Sequence, residues 1–185
     1  MSKIQQLIEN YRNRVNTPWE DNISGRERVW FVIYQKEKER MLRYRLERFE
    51  LITEQAGKKW FREDVTNSFS KWITSQEYCE EYFKNPKSLE FALEQFRENM
   101  IQDIIEKLNQ PEVDKNSVFA ISGVGSLFGF MKVHRLVKEI RKEIPGRLVV
   151  FFPGSYENNT YRLMDARDGW DYRAVPITNE KGVLN

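Results

Sequence analysis

Two apolar runs in the second half of the chain constrain its fold most. Ser117–Ser122 reads SVFAIS, Arg147–Phe152 reads RLVVFF, and a helical pattern lies between them. A third run, Val29–Tyr34, reads VWFVIY. Continuous apolar runs bounded by turn residues are typical of strands covered on both faces. The sequence therefore predicts an α/β fold, a three-layer αβα domain with a mainly parallel central sheet in which these three strands are adjacent.

The other segments read as helices and short strands of the same domain, residues 1–185. Helix 2–16 has one apolar face, and Ser2 with Gln5 resembles a capping box. The remaining predictions are charged helix 36–56, strand 59–65, short helices within 67–84, helix 88–108, helix 130–144, short strands 161–164 and 173–177, and a loose tail at about 178–185.

Charge and cysteine content limit the class of partner and the compartment. The 185 residues carry 30 Lys and Arg against 28 Asp and Glu, a net charge of +2. That balance does not favour a nucleic-acid binder, in which basic residues cluster. One cysteine excludes an internal disulfide, and no run approaches the ~20 apolar residues that a membrane span needs. We expect a cytoplasmic protein with no membrane partner.

A glycine-rich turn, Gly123–Gly129, follows the strand at 117–122 and opens the next helix, where phosphate-binding loops lie. No Lys follows a glycine in the P-loop register, and the third glycine falls one position late for the dinucleotide fingerprint. We expect a tight turn needed for packing, in a Rossmann-like or P-loop-like topology without a functional P-loop. A nucleotide-sensing turn is the alternative.

The remaining reactive side chains suggest neither catalysis nor metal binding. His134 reads as an exposed helix residue, and the acidic neighbours of Cys79 disfavour its thiolate. Asp165, Asp168 and Asp171 could hold Mg²⁺ near a strand end, but Asp-Gly is also a common turn, and the turn is favoured. No catalytic, cofactor-binding or metal-binding residue is predicted.

Exposed aromatic and arginine side chains are the best candidates for contact with a partner, because such residues often dominate interfaces. The candidates lie in the loop at 17–28, in the carboxy-terminal loop at 156–173 and on the basic helix 130–144: Trp19, Tyr156, Arg162, Arg167, Trp170, Arg135 and Arg141. The alternative is that Trp19 and Trp170 simply cover the ends of the sheet.

A resemblance to a known family rests on motifs spread from the first helix to Pro176. They are Pro18-Trp19, Arg28–Phe31, Ile121–Phe128, Leu148–Gly154, and Tyr161–Asp165 followed by Asp168–Ala174. In their order and spacing these stretches resemble the BrxB family, a core component of the bacteriophage exclusion (BREX) defence systems. Gly129 departs from the proline that is common there in relatives, which puts the start of the following helix in doubt.

The resemblance implies a role without chemistry. The family has no established enzymatic activity and is encoded beside a PglZ-type phosphatase-superfamily protein, a PglX-type DNA methyltransferase and a BrxC-type ATPase. It therefore implies a non-enzymatic accessory or scaffold subunit with the PglZ-type protein as its leading partner. A nucleotide-sensing module and a subunit that contacts nucleic acid through helix 130–144 remain the alternatives.

Overall fold

Six strands and the helices between them build the protein, for which a computed structural model describes residues 2–166 and 169–180. The strands are β1 (Val29–Tyr34), β2 (Lys59–Asp64), β3 (Ser117–Ser122), β4 (Arg147–Glu157), β5 (Thr160–Leu163) and β6 (Val175–Ile177). The α-helices are α1 (Lys3–Asn16), α2 (Glu39–Tyr44), α3 (Leu46–Gln55), α4 (Ser68–Thr74), α5 (Cys79–Lys84), α6 (Pro86–Leu108) and α7 (Val133–Ile140). Short 3-10 turns cover Lys36–Lys38, Val124–Leu127 and Arg141–Glu143.

Five parallel strands form the central sheet in the order β2–β3–β4–β1–β6. Strand β1 lies between β4 and β6, with Val29 opposite Leu148 and Trp30 opposite Val175. All six residues of β1 and of β3 are buried. The three-layer fold and the adjacency of the three predicted strands are both confirmed.

Side chains alternate along the strands and build a separate apolar core on each face of the sheet. Helices α1, α2 and α3 cover one face, which we call the α1 face, and there Tyr11, Phe49 and Phe151 pack ring against ring. Helices α4, α6 and α7 cover the opposite face, the α6 face, over Phe31 and Phe152. Helices on both faces explain why the strands are apolar throughout.

The predicted capping box at the start of α1 is present. Ser2 Oγ accepts a hydrogen bond from the Gln5 amide at 3.2 Å, and Gln5 Oε1 accepts one from the Ser2 amide at 2.8 Å. The prediction of one continuous helix over 36–56 is wrong. Arg45, with φ −105° and ψ 2°, is not helical and separates α2 from α3. The Arg45 amide bonds the Leu42 carbonyl three residues back, as in a 3-10 turn.

The helix that follows the glycine-rich turn starts later than the sequence predicts. Gly129 has φ +86°, which ends the turn in a left-handed conformation. Phe128 has a non-helical ψ of 125°, and Lys132 is extended. The segment 128–132 is therefore not helical, and α7 begins at Val133. This places the aromatic side chain of Phe128 on the surface, 51% exposed.

Strand β4 does not end at Pro153-Gly154, as the sequence predicts, but continues to Glu157 and forms an antiparallel hairpin with β5. Asn158 and Asn159 both have positive φ, which suits a tight two-residue turn. A Cβ on Gly154 would lie 1.9 Å from the Arg162 carbonyl oxygen, so only glycine allows β5 this close. The predicted loop at 156–173 therefore begins with an ordered hairpin.

The start of the predicted tail is tied to α1. Asn10 Nδ2 donates hydrogen bonds to the carbonyl oxygens of Thr178 at 2.7 Å and Glu180 at 2.9 Å. Residues 181–185 lie outside the described part of the chain.

Candidate functional site

The carboxyl ends of the parallel strands are where an open α/β sheet usually binds its ligand. Here a network of polar side chains occupies the ends of β1 and β2. Arg43 donates to Glu39 at 2.8 Å, to Asp64 at 3.1 Å and to Thr66, while Tyr34 donates to Glu39. Each of these groups therefore has a partner within the protein, and the network joins α2 to the sheet.

Protein atoms also pack against the glycine-rich turn. Gly123 has φ +82°, and a Cβ there would lie 2.2 Å from Thr66 Oγ1. A Cβ on Gly125 would lie 3.2 Å from Pro153 Cγ and 3.5 Å from Met164 Sδ. The glycines therefore allow close approach of neighbouring chain segments, which is the packing role that the sequence favours.

The β4–β5 hairpin covers the carboxyl ends of β1 and β4. The Met164 amide donates to the Pro153 carbonyl at 2.7 Å, and Lys36, just after β1, forms an ion pair with Asp165. Asp171 accepts a hydrogen bond from the Arg173 amide at 2.9 Å, as in a turn. Within residues 2–166 and 169–180, no three His, Cys, Asp or Glu side chains are close enough to hold a metal ion.

Beside this hairpin a groove of about 600 Å³ opens between α7, the segment 128–132 and the chain that leads into β6. We call it the Trp170 groove. Phe128, Met131, Leu163, Trp170 and Tyr172 supply its apolar lining. Trp170 is 38% exposed, and its amide and carbonyl both bond the backbone of Tyr161 at 2.9 Å. The groove thus presents a partly exposed indole on a fixed backbone.

Positive side chains surround the Trp170 groove. Lys132 Nζ lies 4.7 Å from the centre of the Trp170 ring, a cation–π contact. Arg135 binds both carboxylate oxygens of Glu94, which also accepts a hydrogen bond from Arg97 at 3.2 Å. These two guanidinium groups lower the pKa of Glu94 to about 2. The carboxylate therefore stays ionised and holds both arginines at the rim.

His134 is half-buried rather than exposed, so this prediction is wrong. Its ring stacks on Trp170 with the ring centres 5.1 Å apart and meets the edge of Tyr172 at 5.7 Å. Partial burial, together with the positive charges of Lys138 and Arg141, lowers the pKa of His134. At neutral pH the imidazole is therefore uncharged, and its packing positions Trp170.

The structure brings two of the predicted partner-binding residues, Trp170 and Arg135, to the Trp170 groove. Arg162 is exposed and lies close to Gly169, the residue before Trp170, because a Cβ on Gly169 would lie 3.2 Å from Arg162 Cγ. Arg141, in the 3-10 turn after α7, is half-buried and, with Lys138 on α7, extends the positive charge beyond the groove. Arg167 lies outside the described residues, as does Asp168.

Tyr156 and Trp19 do not join this surface. Tyr156 is half-buried on the hairpin, where its ring packs on Tyr161 with the centres 4.6 Å apart. Trp19 is near the opposite end of the sheet, edge-on to Trp30 at 5.8 Å, and its indole donates to the Val15 carbonyl at 3.2 Å. Trp19 therefore covers an end of the sheet, as the alternative interpretation has it.

Sequence reasoning missed Phe128, Met131 and Arg97 as groove residues. Phe128 and Met131 were placed in or next to a continuous helix, whereas the left-handed Gly129 exposes Phe128. Arg97 lies on α6, far from α7 in sequence, and donates to the Phe130 carbonyl at 2.8 Å. The glycine at 129 was the one local signal that could have indicated the irregular segment.

Among the described residues, no helix combines the length and the apolar character that crossing a bilayer requires.

Comparisons with known proteins give one result. The family model described as "BREX protein BrxB" matches residues 45–177, more than half of the chain. No curated protein and no solved structure matches. The matched residues run from the break before α3 to the end of β6, so they include the whole Trp170 groove. The chain therefore belongs to the BrxB family and is a component of a BREX anti-phage system.

Proposed function

We propose that this BREX component is a non-enzymatic, cytoplasmic accessory subunit that binds other proteins of its system through the Trp170 groove. The PglZ-type protein is the leading partner, with the BrxC-type ATPase and the PglX-type methyltransferase as further ones. The proposal rests on one observation: the partly exposed Trp170 lies in an apolar groove that arginine and lysine side chains surround.

The shape of the groove suits an inserted side chain. An indole contributes strongly to an interface because it removes a large area from water while losing few rotamers, and a guanidinium group contributes directed hydrogen bonds. Trp170 is already held by His134 and by the backbone of Tyr161, so little further ordering is needed on binding. An apolar or aromatic side chain of the partner would fill the space between Phe128 and Trp170.

The charges around the groove indicate which charged residues a partner would carry beside its inserted side chain. Lys132, Arg135 and Arg97 lie at the rim, and further positive charge follows at Lys138 on α7 and Arg141 just after it. Glu94 is engaged by two of these arginines. A partner segment with carboxylates flanking its apolar side chain would therefore complement the rim.

The two alternatives gain less support. Nucleotide sensing would require space at the Gly123–Gly129 turn, where Thr66, Pro153 and Met164 already pack. Nucleic-acid contact would rest on Lys138 of α7 and on Arg141 in the 3-10 turn that follows it. This basic pair adjoins the groove but supplies none of its lining residues.

The test is co-expression of the tagged chain with the PglZ-type protein, followed by affinity capture and size-exclusion chromatography. Trp170→Ala is expected to weaken capture by at least tenfold, since a central aromatic residue contributes more than about 2 kcal/mol. Tyr44→Ala is the matched control, because Tyr44 is 81% exposed on α2, over the α1 face. Undiminished capture by folded Trp170→Ala, or equal loss in the control, would contradict the proposal.

A further inference from the structure

Another pocket, lined mainly by polar side chains, lies at the amino ends of the strands. Arg147, the first residue of β4, is only 6% exposed there. Its guanidinium donates to the carbonyl oxygens of Gly146 at 3.2 Å and Glu20 at 3.4 Å, and its Cζ lies 4.5 Å from the centre of the Trp19 ring. The contacts of this buried cation are thus with carbonyl dipoles and an aromatic face, and none of them carries a formal negative charge.

More cations line the same pocket, which has a volume of about 360 Å³. Arg28 donates to the carbonyls of Ile144 at 3.1 Å and Asp21 at 3.0 Å. Lys58 donates to the amide oxygen of Asn116 at 3.2 Å and lies 4.3 Å from the centre of the Trp19 ring.

Positive charge exceeds negative charge in this pocket. Its cationic lining residues are Arg28, Lys58, Lys115 and Arg147, and its acidic ones are Glu20 and Asp21. The ion pair among these lining residues is Lys115 with Asp21, at 3.2 Å. Burial, with repulsion from Arg28 and Arg14, outweighs the attraction of Glu27 and Asp21 and lowers the pKa of Arg147 to about 10, so it remains charged at neutral pH. A field of this sign favours an anion.

We propose that this pocket binds an oxyanion of the phosphate class, either the free ion or a terminal phosphate of a larger molecule. Guanidinium groups present planar forks that match phosphate oxygens, and Arg147 is fixed by burial against Trp19. The phosphate oxygens contact Arg147 and Lys58, and a doubly charged group offsets the excess of cations. The site is separate from the Trp170 groove and does not rest on the proposed function.

Isothermal titration of the full chain with inorganic phosphate at constant ionic strength tests this site. Wild type is expected to give saturable binding, weakened about tenfold in Lys58→Gln, the loss expected for one charge-assisted hydrogen bond. Lys87→Gln is the control, since Lys87 is exposed on the first turn of α6. Arg147→Lys, which keeps the charge but loses the fork, is expected to bind more weakly still. If Arg147→Lys does not fold, the comparison of phosphate binding by Lys58→Gln and Lys87→Gln tests the proposal.

A second arm distinguishes the sources of the anion. A 5′-phosphorylated dinucleotide is compared with the same dinucleotide carrying a 5′-hydroxyl. Binding that requires the 5′-phosphate and weakens in Lys58→Gln identifies a terminal phosphate, whereas binding of inorganic phosphate alone identifies the free ion. The proposal is overturned if neither phosphate probe binds saturably, if both lysine variants weaken binding equally, or if the 5′-hydroxyl dinucleotide binds saturably and as tightly as the phosphorylated one.

Discussion

The imidazole of His134 stacks on the indole of Trp170, with the ring centres 5.1 Å apart. His134 belongs to α7, while Trp170 lies in the chain that leads into β6, so the stack joins two parts of the molecule. Lys132, the residue before α7, also contacts the Trp170 ring, with its Nζ 4.7 Å from the ring centre. The indole is therefore held by α7 while part of it stays accessible to a partner.

The lowered pKa of His134 predicts a pH dependence of stability. The pKa of His134 is about 6.5 in the unfolded chain and lower in the folded chain. Between these two pH values the unfolded state therefore binds more protons than the folded state. Stability from this group is complete above about pH 6.5 and is lost as the pH falls through the lowered value. When the pH falls from about 7.5 to about 5, the melting temperature of the wild type should fall further than that of His134→Gln. Parallel losses in the two proteins would contradict this.

Two glycines with similar backbone angles should respond differently to alanine. Gly123 and Gly129 have φ +82° and +86°, but only at Gly123 would a Cβ collide, 2.2 Å from Thr66 Oγ1. Gly129→Ala is expected to lower the free energy of unfolding by about 1 kcal/mol through backbone strain alone. Gly123→Ala should cost about 3 kcal/mol, because the collision adds to the strain. Urea denaturation measures both, and equal losses would argue against the packing role of Gly123.

Phe151 is completely buried on the α1 face and meets Phe49 edge-on at 4.9 Å. Phe151→Asp is expected to abolish soluble expression, because an unpaired buried charge costs several kcal/mol against a total stability of ~5–15 kcal/mol. Phe91→Asp makes the same chemical change at a side chain that is 90% exposed, and should express normally. Soluble, folded Phe151→Asp would refute the assigned core.

A buried hydroxyl pair joins α1 to α3. Thr53 Oγ1 donates to the Phe49 carbonyl at 2.8 Å, so the Tyr11 hydroxyl donates to Thr53 Oγ1, 2.5 Å away. Thr53→Val is expected to cost about 2–3 kcal/mol because the Tyr11 hydroxyl then lacks a partner, whereas Tyr11→Phe should cost only about 1 kcal/mol. The double variant should lose less than the sum. Guanidinium denaturation measures these free energies of unfolding. If the two single variants lost equal stability and the double variant lost their full sum, the pairing would be contradicted.

Much of the fold could be predicted because it depends on local pattern. The apolar runs of β1 and β3 gave strand bounds that the structure reproduces, and Ser2 with Gln5 indicated the start of α1. The break at Arg45 has no Pro or Gly to signal it. The extension of β4 depends on the pairing of Gly154 with β5. The sequence does not indicate this pairing, because Pro153-Gly154 reads as a turn that ends the strand.

The candidate site was only partly predictable, because distant contacts decide which aromatic residues stay exposed. Trp19 and Trp170 both read as loop tryptophans with nearby basic residues. In the structure, Arg147 and Lys58 pack on Trp19 at one end of the sheet, while His134 and Lys132 pack on Trp170 at the other. Neither set of contacts follows from the sequence around either tryptophan.

The strand order has a consequence for synthesis on the ribosome. Strand β1 is made early, yet its two neighbours are β4, which begins at Arg147, and β6, which begins at Val175. Until those residues emerge, both edges of a six-residue apolar strand lack their partners and can pair with other chains. Nascent chains that stop before Arg147 should therefore depend on chaperones, and translation of residues 147–177 is the step that completes the sheet.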